Sequence, residues 1–346
     1  MPMNRIRIKT LQAVSLAAFF VLLCTALSAY GYEGQVVQTE YGEEAILYQD
    51  IDYCKTNGGL FLNLDLAAPA GNPEGQSNAV IVYIHGGGFK HGDKAGKRGS
   101  ILEAAGKGYI GVSVNYRLTG TAGSNPYAVG ARFPDPVRDV KCAIRWIRAN
   151  RLVFGIDPDR IAVVGGSAGA SLALFVGLSD GRSYTKGVRS ADPRLNLKEI
   201  SSKPNLIINW YGPTDFEQLY NGQVASAIRN QPDSPVHKKS IDSLVAVTAY
   251  LGGDLDSSTQ EAYRQASPVH YLDENDPPVL TLHGTRDRAV PFSQALLLDE
   301  MFELLDIGHK HDFNENEFQG AGHGFAWAKL KRRANERTWA FIEEHF

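Results

Sequence analysis

An α/β fold is predicted: a mostly parallel central sheet with an antiparallel N-terminal strand pair, helices on both faces and a small helical cap insertion. Three observations carry that prediction. Short runs rich in Val, Ile and Leu, bounded by turn residues, alternate with helical patterns, as in a parallel sheet covered by helices. The first two runs read instead as a hairpin. The stretch Phe216–Asp273 mixes polar residues with short apolar pieces and holds no strong strand, so it reads as a helical insertion over the sheet.

The chain opens with Arg5, Arg7 and Lys9, then an apolar run from Leu11 to Leu27, with small residues at Ala26, Ser28 and Ala29. That order is the order of an export signal; an uncleaved anchor is the alternative reading. Bulky Leu23 before Cys24 argues against a lipoprotein signal. The expected organisation is a leader over 1–29 and one domain over 30–346, with a cap-like insertion at about 216–273. The expected location is secreted or periplasmic, with membrane contact only if the leader is retained.

The hairpin pairs Glu44–Asp52 with Leu60–Ala67 through Asn57-Gly58-Gly59. Five strands buried on both faces follow at Ala79–Ile84, Ile110–Asn115, Arg160–Val164, Leu206–Trp210 and Val279–Leu282. Helices are expected at Gly99–Ala105, Pro136–Asn150, Ala170–Gly177, Ser293–Leu305 and Phe325–Glu344. Pro136–Asn150 is the strongest, since Val137, Val140, Ile144 and Ile147 recur at helical spacing.

The net charge of −3, from 35 Lys and Arg against 38 Asp and Glu, speaks against a nucleic-acid binder. The basic stretch Lys329–Arg333 falls in a helical pattern and reads as a solvated helix face. Without the leader, Cys54 and Cys142 are the cysteines that remain. Two thiols make no disulfide framework; Cys142 reads as a small buried apolar residue, with a Cys54–Cys142 bridge as the alternative reading.

The chemistry starts at Gly165-Gly166-Ser167-Ala168-Gly169, directly after the run Arg160–Val164. A serine on a sharp strand-to-helix turn needs small neighbours, and its hydroxyl then projects toward a substrate. A nucleophilic serine also needs a base, an orienter for that base and donors for an oxyanion. His85-Gly86-Gly87-Gly88-Phe89 follows one strand, and its bare glycines expose backbone N–H groups. His283-Gly284-Thr285-Arg286-Asp287 follows another, and Gly322-His323-Gly324 precedes the last helix. The order Ser, Asp, His is the one expected of α/β-hydrolases.

These residues resemble the α/β-hydrolase fold, within the hormone-sensitive-lipase-like and feruloyl-esterase-like (BD-FAE) carboxylesterases. The resemblance also rests on Gly92-Asp93-Lys94, Asn115-Tyr116-Arg117-Leu118 and the run from Asp139 to Asn150. Further matches are Gly155–Ile161, Tyr211–Asp215, Ala266–Val269, and His283-Gly284 with Asp287. It runs from about Ala79 to the C-terminus. Ala170 departs from it, standing where the family often has a second glycine, and Gly120–Arg132 and the cap at Phe216–Ser267 follow no recognised pattern.

The resemblance implies Ser167 as nucleophile, His323 as base and Asp287 as its orienter. It implies the N–H groups of Gly87, Gly88 and Ala168 as the oxyanion hole. His85 is expected to be structural, His283 buried packing, and Asp215 a rival acid to Asp287. Phe89, Tyr116 and Tyr211 follow strand ends and are candidates to line the pocket. No cofactor or metal is implied. His309 and His311 alternate around Lys310 as exposed strand residues would, without a third ligand. Gly92–Lys97 has the wrong spacing for a phosphate loop.

The function expected from these features is an exported serine carboxylesterase. Its partner is a small-molecule or carbohydrate-linked ester, because the cap is polar and short, unlike a greasy lipase lid. A prolyl-oligopeptidase-like peptidase is the second enzyme reading, though fewer than eighty residues precede Ala79, too few for the usual propeller. A silent binding module on the same fold is the reading from another class. Oligomeric state is not legible.

Overall fold

The computed structural model describes residues 32–71, 77–121, 123, 125–232 and 234–346; the expected leader over 1–29 lies outside the described residues. The strands are β1 (Gly34–Gln38), β2 (Glu44–Thr56), β3 (Phe61–Pro69), β4 (Asn78–Ile84) and β5 (Ile110–Val114). They continue as β6 (Ile156–Gly166), β7 (Val188–Ser190), β8 (Leu206–Trp210), β9 (Val279–Leu282) and β10 (His311–Phe313). One sheet runs in the order β1-β2-β3-β5-β4-β6-β8-β9-β10, with β7 pairing β2 from outside that path. Pairs involving β1, β2, β3 and β7 are antiparallel, and all pairs from β5 to β10 are parallel.

Side chains alternate across this sheet, so each strand feeds two cores. Val80, Val82 and Ile84 of β4 join Ile161 and Val163 of β6 in one core, while Ile81, Tyr83, Ala162 and Val164 join the other. Helices α1 (Arg98–Gly106), α2 (Asp135–Ala149) and α3 (Ala168–Leu178) occupy the first half of the chain. Helices α4 (Phe216–Arg229), α5 (Pro235–Leu251) and α6 (Gln260–Ala266) form the expected insertion. Helices α7 (Ser293–Leu304) and α8 (Ala328–His345) close the fold. The first core lies under α2, α3 and α7, and the second under α1 and α8. Val137, Val140, Ile144 and Ile147 of α2 are all fully buried, each worth roughly 2 kcal/mol of transferred apolar surface. Every residue of α3 is buried, so this helix is held on all sides.

Several sequence expectations are corrected. Cys54 on β2 and Cys142 on α2 form a disulfide, with Cα atoms 6.5 Å apart. They stand 88 residues apart in the chain, and only the packing of α2 on the sheet brings them together. Strands β1, β7 and β10 are short edge or near-edge elements without a strong apolar run. His311, expected exposed, has its side chain buried beside Phe302; one ring nitrogen faces Asp299 Oδ1 at 2.9 Å and the other Thr281 Oγ1 at 2.8 Å. Helix α8 begins at Ala328 rather than Phe325, because Gly324 and Phe325 take φ of 80° and 48°. No helix among the described residues is long and apolar enough to cross a membrane.

Candidate active site

Every candidate residue lies at the C-terminal edge of the parallel strands, where open α/β sheets place their sites. At the end of β6, Ser167 takes φ 56° and ψ −126°, a costly conformation for a side-chain-bearing residue. The neighbouring glycines make this turn feasible. A Cβ on Gly165 would overlap the backbone of Gly169, and one on Gly169 would overlap the carbonyls of Ile84 and His85. Ser167 N–H donates to the Trp210 carbonyl at 2.9 Å, which fastens the turn to β8. Ala170 fits because it faces Gly212: a Cβ there would come within 2.6 Å of the Ala170 methyl.

Ser167 Oγ lies 3.0 Å from His323 Nε2, and His323 Nδ1 lies 2.6 Å from Asp287 Oδ2. The other oxygen of Asp287 accepts the N–H groups of Ala289 and Val290 at 2.9 and 3.0 Å. Burial alone would raise the Asp287 carboxyl, but its bonds to His283 and His323 outweigh that and bring it down to about 2. It is therefore ionised at neutral pH. His283 Nε2 donates to the Val290 carbonyl at 2.9 Å and stands 3.5 Å from Asp287 Oδ2, so it packs beside the acid. The rival acid Asp215 lies elsewhere: it caps α4 by accepting Gln218 N–H at 2.9 Å.

The glycine loop after β4 faces the serine. Gly87 and Gly88 take φ of 121° and 61°, and a Cβ on Gly87 would overlap the His91 carbonyl. Both residues and Ala168 line a cleft of about 400 Å³ together with Ser167 and His323. Ala168 opens α3, so its N–H lies outside the helix ladder and at the positive end of the helix dipole. His85 is structural: Nδ1 faces the Gly86 carbonyl at 3.0 Å, and burial brings the imidazole down to about 4.

Of the three pocket candidates, Phe89 and Tyr211 line the cleft and Tyr116 does not. Tyr116 is fully buried, donates its hydroxyl to the His85 carbonyl at 2.8 Å and stacks on the His85 ring at 4.3 Å. Its place after a strand end suggested the pocket, but the side chain turns inward beneath the glycine loop. Tyr211 sits edge-on to His323 at 4.8 Å, and burial followed by the charge of Asp287 raises its phenol to about 12.

Further residues brace this site, several of them within the motifs that carry the resemblance. Lys94 Nζ reaches Asp50 and buried Asp65, and Lys94 N–H donates to Asn115 Oδ1 at 2.8 Å, tying the loop to β2, β3 and β5. Thr119 N–H donates to the Phe89 carbonyl, and Asn125, from the unrecognised stretch Gly120–Arg132, donates Nδ2–H to the Gly92 carbonyl, so both support the glycine loop. Asp139 accepts the Arg117 backbone N–H at 2.9 Å and both sides of its guanidinium, a buried pair fixing the chain after β5. The cleft roof comes from α5, through Lys239, Asp242, Ser243, Ala246 and Val247.

The BD-FAE family profile matches residues 64–302. The chain is 30% identical over 250 residues to Esterase LipC of Mycobacterium tuberculosis, covering 71% of this chain and 53% of that protein. It is 26% identical over 269 residues to the probable carboxylic ester hydrolase LipM of the same organism, covering 77% and 50%. The chain thus spans about half the length of these curated relatives. Among solved structures, the propionate-bound thermophilic esterase Est2 of Thermogutta terrifontis superposes with a TM-score of 0.61 at 23% identity, covering 91% of this chain and 94% of that one. A truncated carbohydrate esterase from gut microbiota does so with a TM-score of 0.59 at 23% identity, covering 86% and 95%. Both likenesses are of fold.

Proposed function

The chain belongs to the BD-FAE family, and from that premise we propose that it is a serine carboxylic-ester hydrolase working through an acyl-enzyme. The observation that carries this reading is the continuous chain Ser167 Oγ–His323–Asp287 beside bare glycine amides. In this reading Ser167 Oγ attacks the ester carbonyl while His323 Nε2 takes its proton. Asp287 holds Nδ1–H, which selects the tautomer that leaves Nε2 free, and it stabilises the imidazolium. The N–H groups of Gly87, Gly88 and Ala168 receive the oxyanion, each donor worth ~3 kcal/mol in the transition state. The proton then passes to the leaving alcohol, and water repeats the sequence on the acyl-enzyme.

The finer reading is an exported enzyme acting on small or carbohydrate-linked esters. The N-terminal charge and apolar pattern supports export, as does the Cys54–Cys142 disulfide, since such bonds persist in oxidising compartments. A cleft roofed by Lys239, Asp242 and Ser243 favours a polar ester over a long acyl chain. A panel of p-nitrophenyl acyl esters tests the activity: hydrolysis by the native protein and its loss in Ser167→Ala are expected. No hydrolysis, or hydrolysis undiminished by the substitution, overturns the reading. N-terminal sequencing of protein recovered outside the cytoplasm tests the address.

A further inference from the structure

Behind the serine turn lies a second cleft, of about 560 Å³, between α1 and α8. Gly166 and Lys97 line both clefts, so the two meet at one glycine and one lysine. Two features left aside at the sequence level converge there. Lys97 ends the loop Gly92–Lys97, and Lys331 and Arg332 belong to the basic stretch of α8. The stretch is exposed, as expected of a solvated face, yet two of its cations line the cleft that shares Gly166 and Lys97 with the cleft at Ser167.

The charges in this cleft are unequally matched. Glu103 accepts Tyr41 Oη–H, Asn335 Nδ2–H and Trp339 Nε1–H on one oxygen, Oε1, and Glu40 is exposed. Arg332 faces Glu336 at 3.5 Å on the surface. Lys97 and Lys331 have no ion-pair partner among the described residues. Burial, followed by the charge of Lys331, holds the Lys97 ammonium below the ordinary lysine range. A partly desolvated ammonium without an ion-pair partner, lining the same cleft as Ser167, is a site that gains from an incoming anion.

We propose that Lys97 and Lys331 form an anion subsite, and that the ester cleaved at Ser167 carries a carboxylate which they hold where the two clefts meet. The proposal rests on the serine-esterase reading above. The carboxylate belongs either to the acyl part, as in a half-ester of a dicarboxylic acid, or to the alcohol part, as in an acetylated uronic acid. The chemistry recognised is the same in both.

The test is a set of kcat/KM ratios on the full-length protein. One pair compares mono-p-nitrophenyl glutarate with p-nitrophenyl butyrate; the other compares acetylated galacturonic acid with acetylated galactose. The anionic-to-neutral ratio in one pair is expected to fall about ten-fold in Lys97→Met and a few-fold in Lys331→Met. Lys97→Arg should restore most of it. In the native protein the same ratio should fall with added salt, which keeps the test open if Lys97→Met fails to fold. Ratios unmoved by both substitutions and by salt overturn the subsite. Absence of hydrolysis of the neutral esters as well overturns the serine-esterase reading instead.

Discussion

On the sheet side of the cleft at Ser167, Gly87, Gly88 and Ser167 sit at φ of 121°, 61° and 56°, while a Cβ on Gly87, Gly165 or Gly169 would overlap the backbone of His91, Gly169 or Ile84. On the helical side, α5 contributes Ser243, Ala246 and Val247 as ordinary helix residues, with Ile241 and Val245 of the same helix exposed. The sheet wall has no room for a side chain at Gly87, Gly165 or Gly169, while the roof is lined by ordinary helix side chains. The difference separates two tasks. Backbone amides and a strained serine must be held to a fraction of an ångström for acyl transfer, whereas selectivity needs only a surface of suitable shape.

The largest effects should come from breaking the hydrogen-bonded chain on the sheet wall. Ser167→Ala is expected to remove nearly all ester hydrolysis, and Asp287→Asn to lower kcat by about 10³- to 10⁴-fold through the wrong histidine tautomer. Asp215→Asn, which keeps an N-cap acceptor for Gln218 N–H, should leave both kcat and stability near native. Steady-state kinetics beside thermal melting distinguishes these; a large kcat loss in Asp215→Asn alone would reassign the acid.

Next comes the backbone of the same wall. In Gly87→Ala the new methyl meets the His91 carbonyl, so the loop must shift and an oxyanion donor moves with it. A loss of ~10² in kcat with little change in KM is expected. Unchanged kcat would mean that the Gly87 amide takes no part.

A smaller effect reads the acid itself. The folded pKa of Asp287 is about 2, against the ordinary value of 3.8. Its ionised form therefore contributes stability that is complete above about pH 4 and lost as pH falls toward 2, roughly 2 kcal/mol in all. The stability difference between native protein and Asp287→Asn, followed by denaturant titration across that window, should shrink by this amount. A constant difference would show that the carboxylate is not held in its charged form.

The smallest effect belongs to the roof. Ala246 faces Gly88 across the cleft, and Ala246→Leu should narrow it. Acetyl esters should then be favoured over hexanoyl esters about ten-fold more than in the native protein, leaving the chemical step intact. If kcat for the acetyl ester collapses too, the roof shares the catalytic task and the contrast between the walls fails.

Legibility followed the same division. The parallel strands were readable because burial on both faces demands continuous Val, Ile and Leu runs, as in β4 and β6. The serine turn and glycine loop were readable because close backbone approach admits only glycine at positions such as Gly165 and Gly87. The inward turn of Tyr116 and the support of the glycine loop by Lys94 and Asn125 were not readable. Each depends on a partner distant in sequence, reached by an unspecialised side chain.

By itself, the sequence determined the strand order in the chain and the glycine-flanked turn at Ser167, because local backbone demands leave few residue types to choose from. Tertiary structure alone decided the Cys54–Cys142 bond, the burial of His311 and the meeting of Lys97 with Lys331 beside Gly166. These join elements far apart in the chain, and no local pattern encodes how a sheet and its helices bring such side chains within reach.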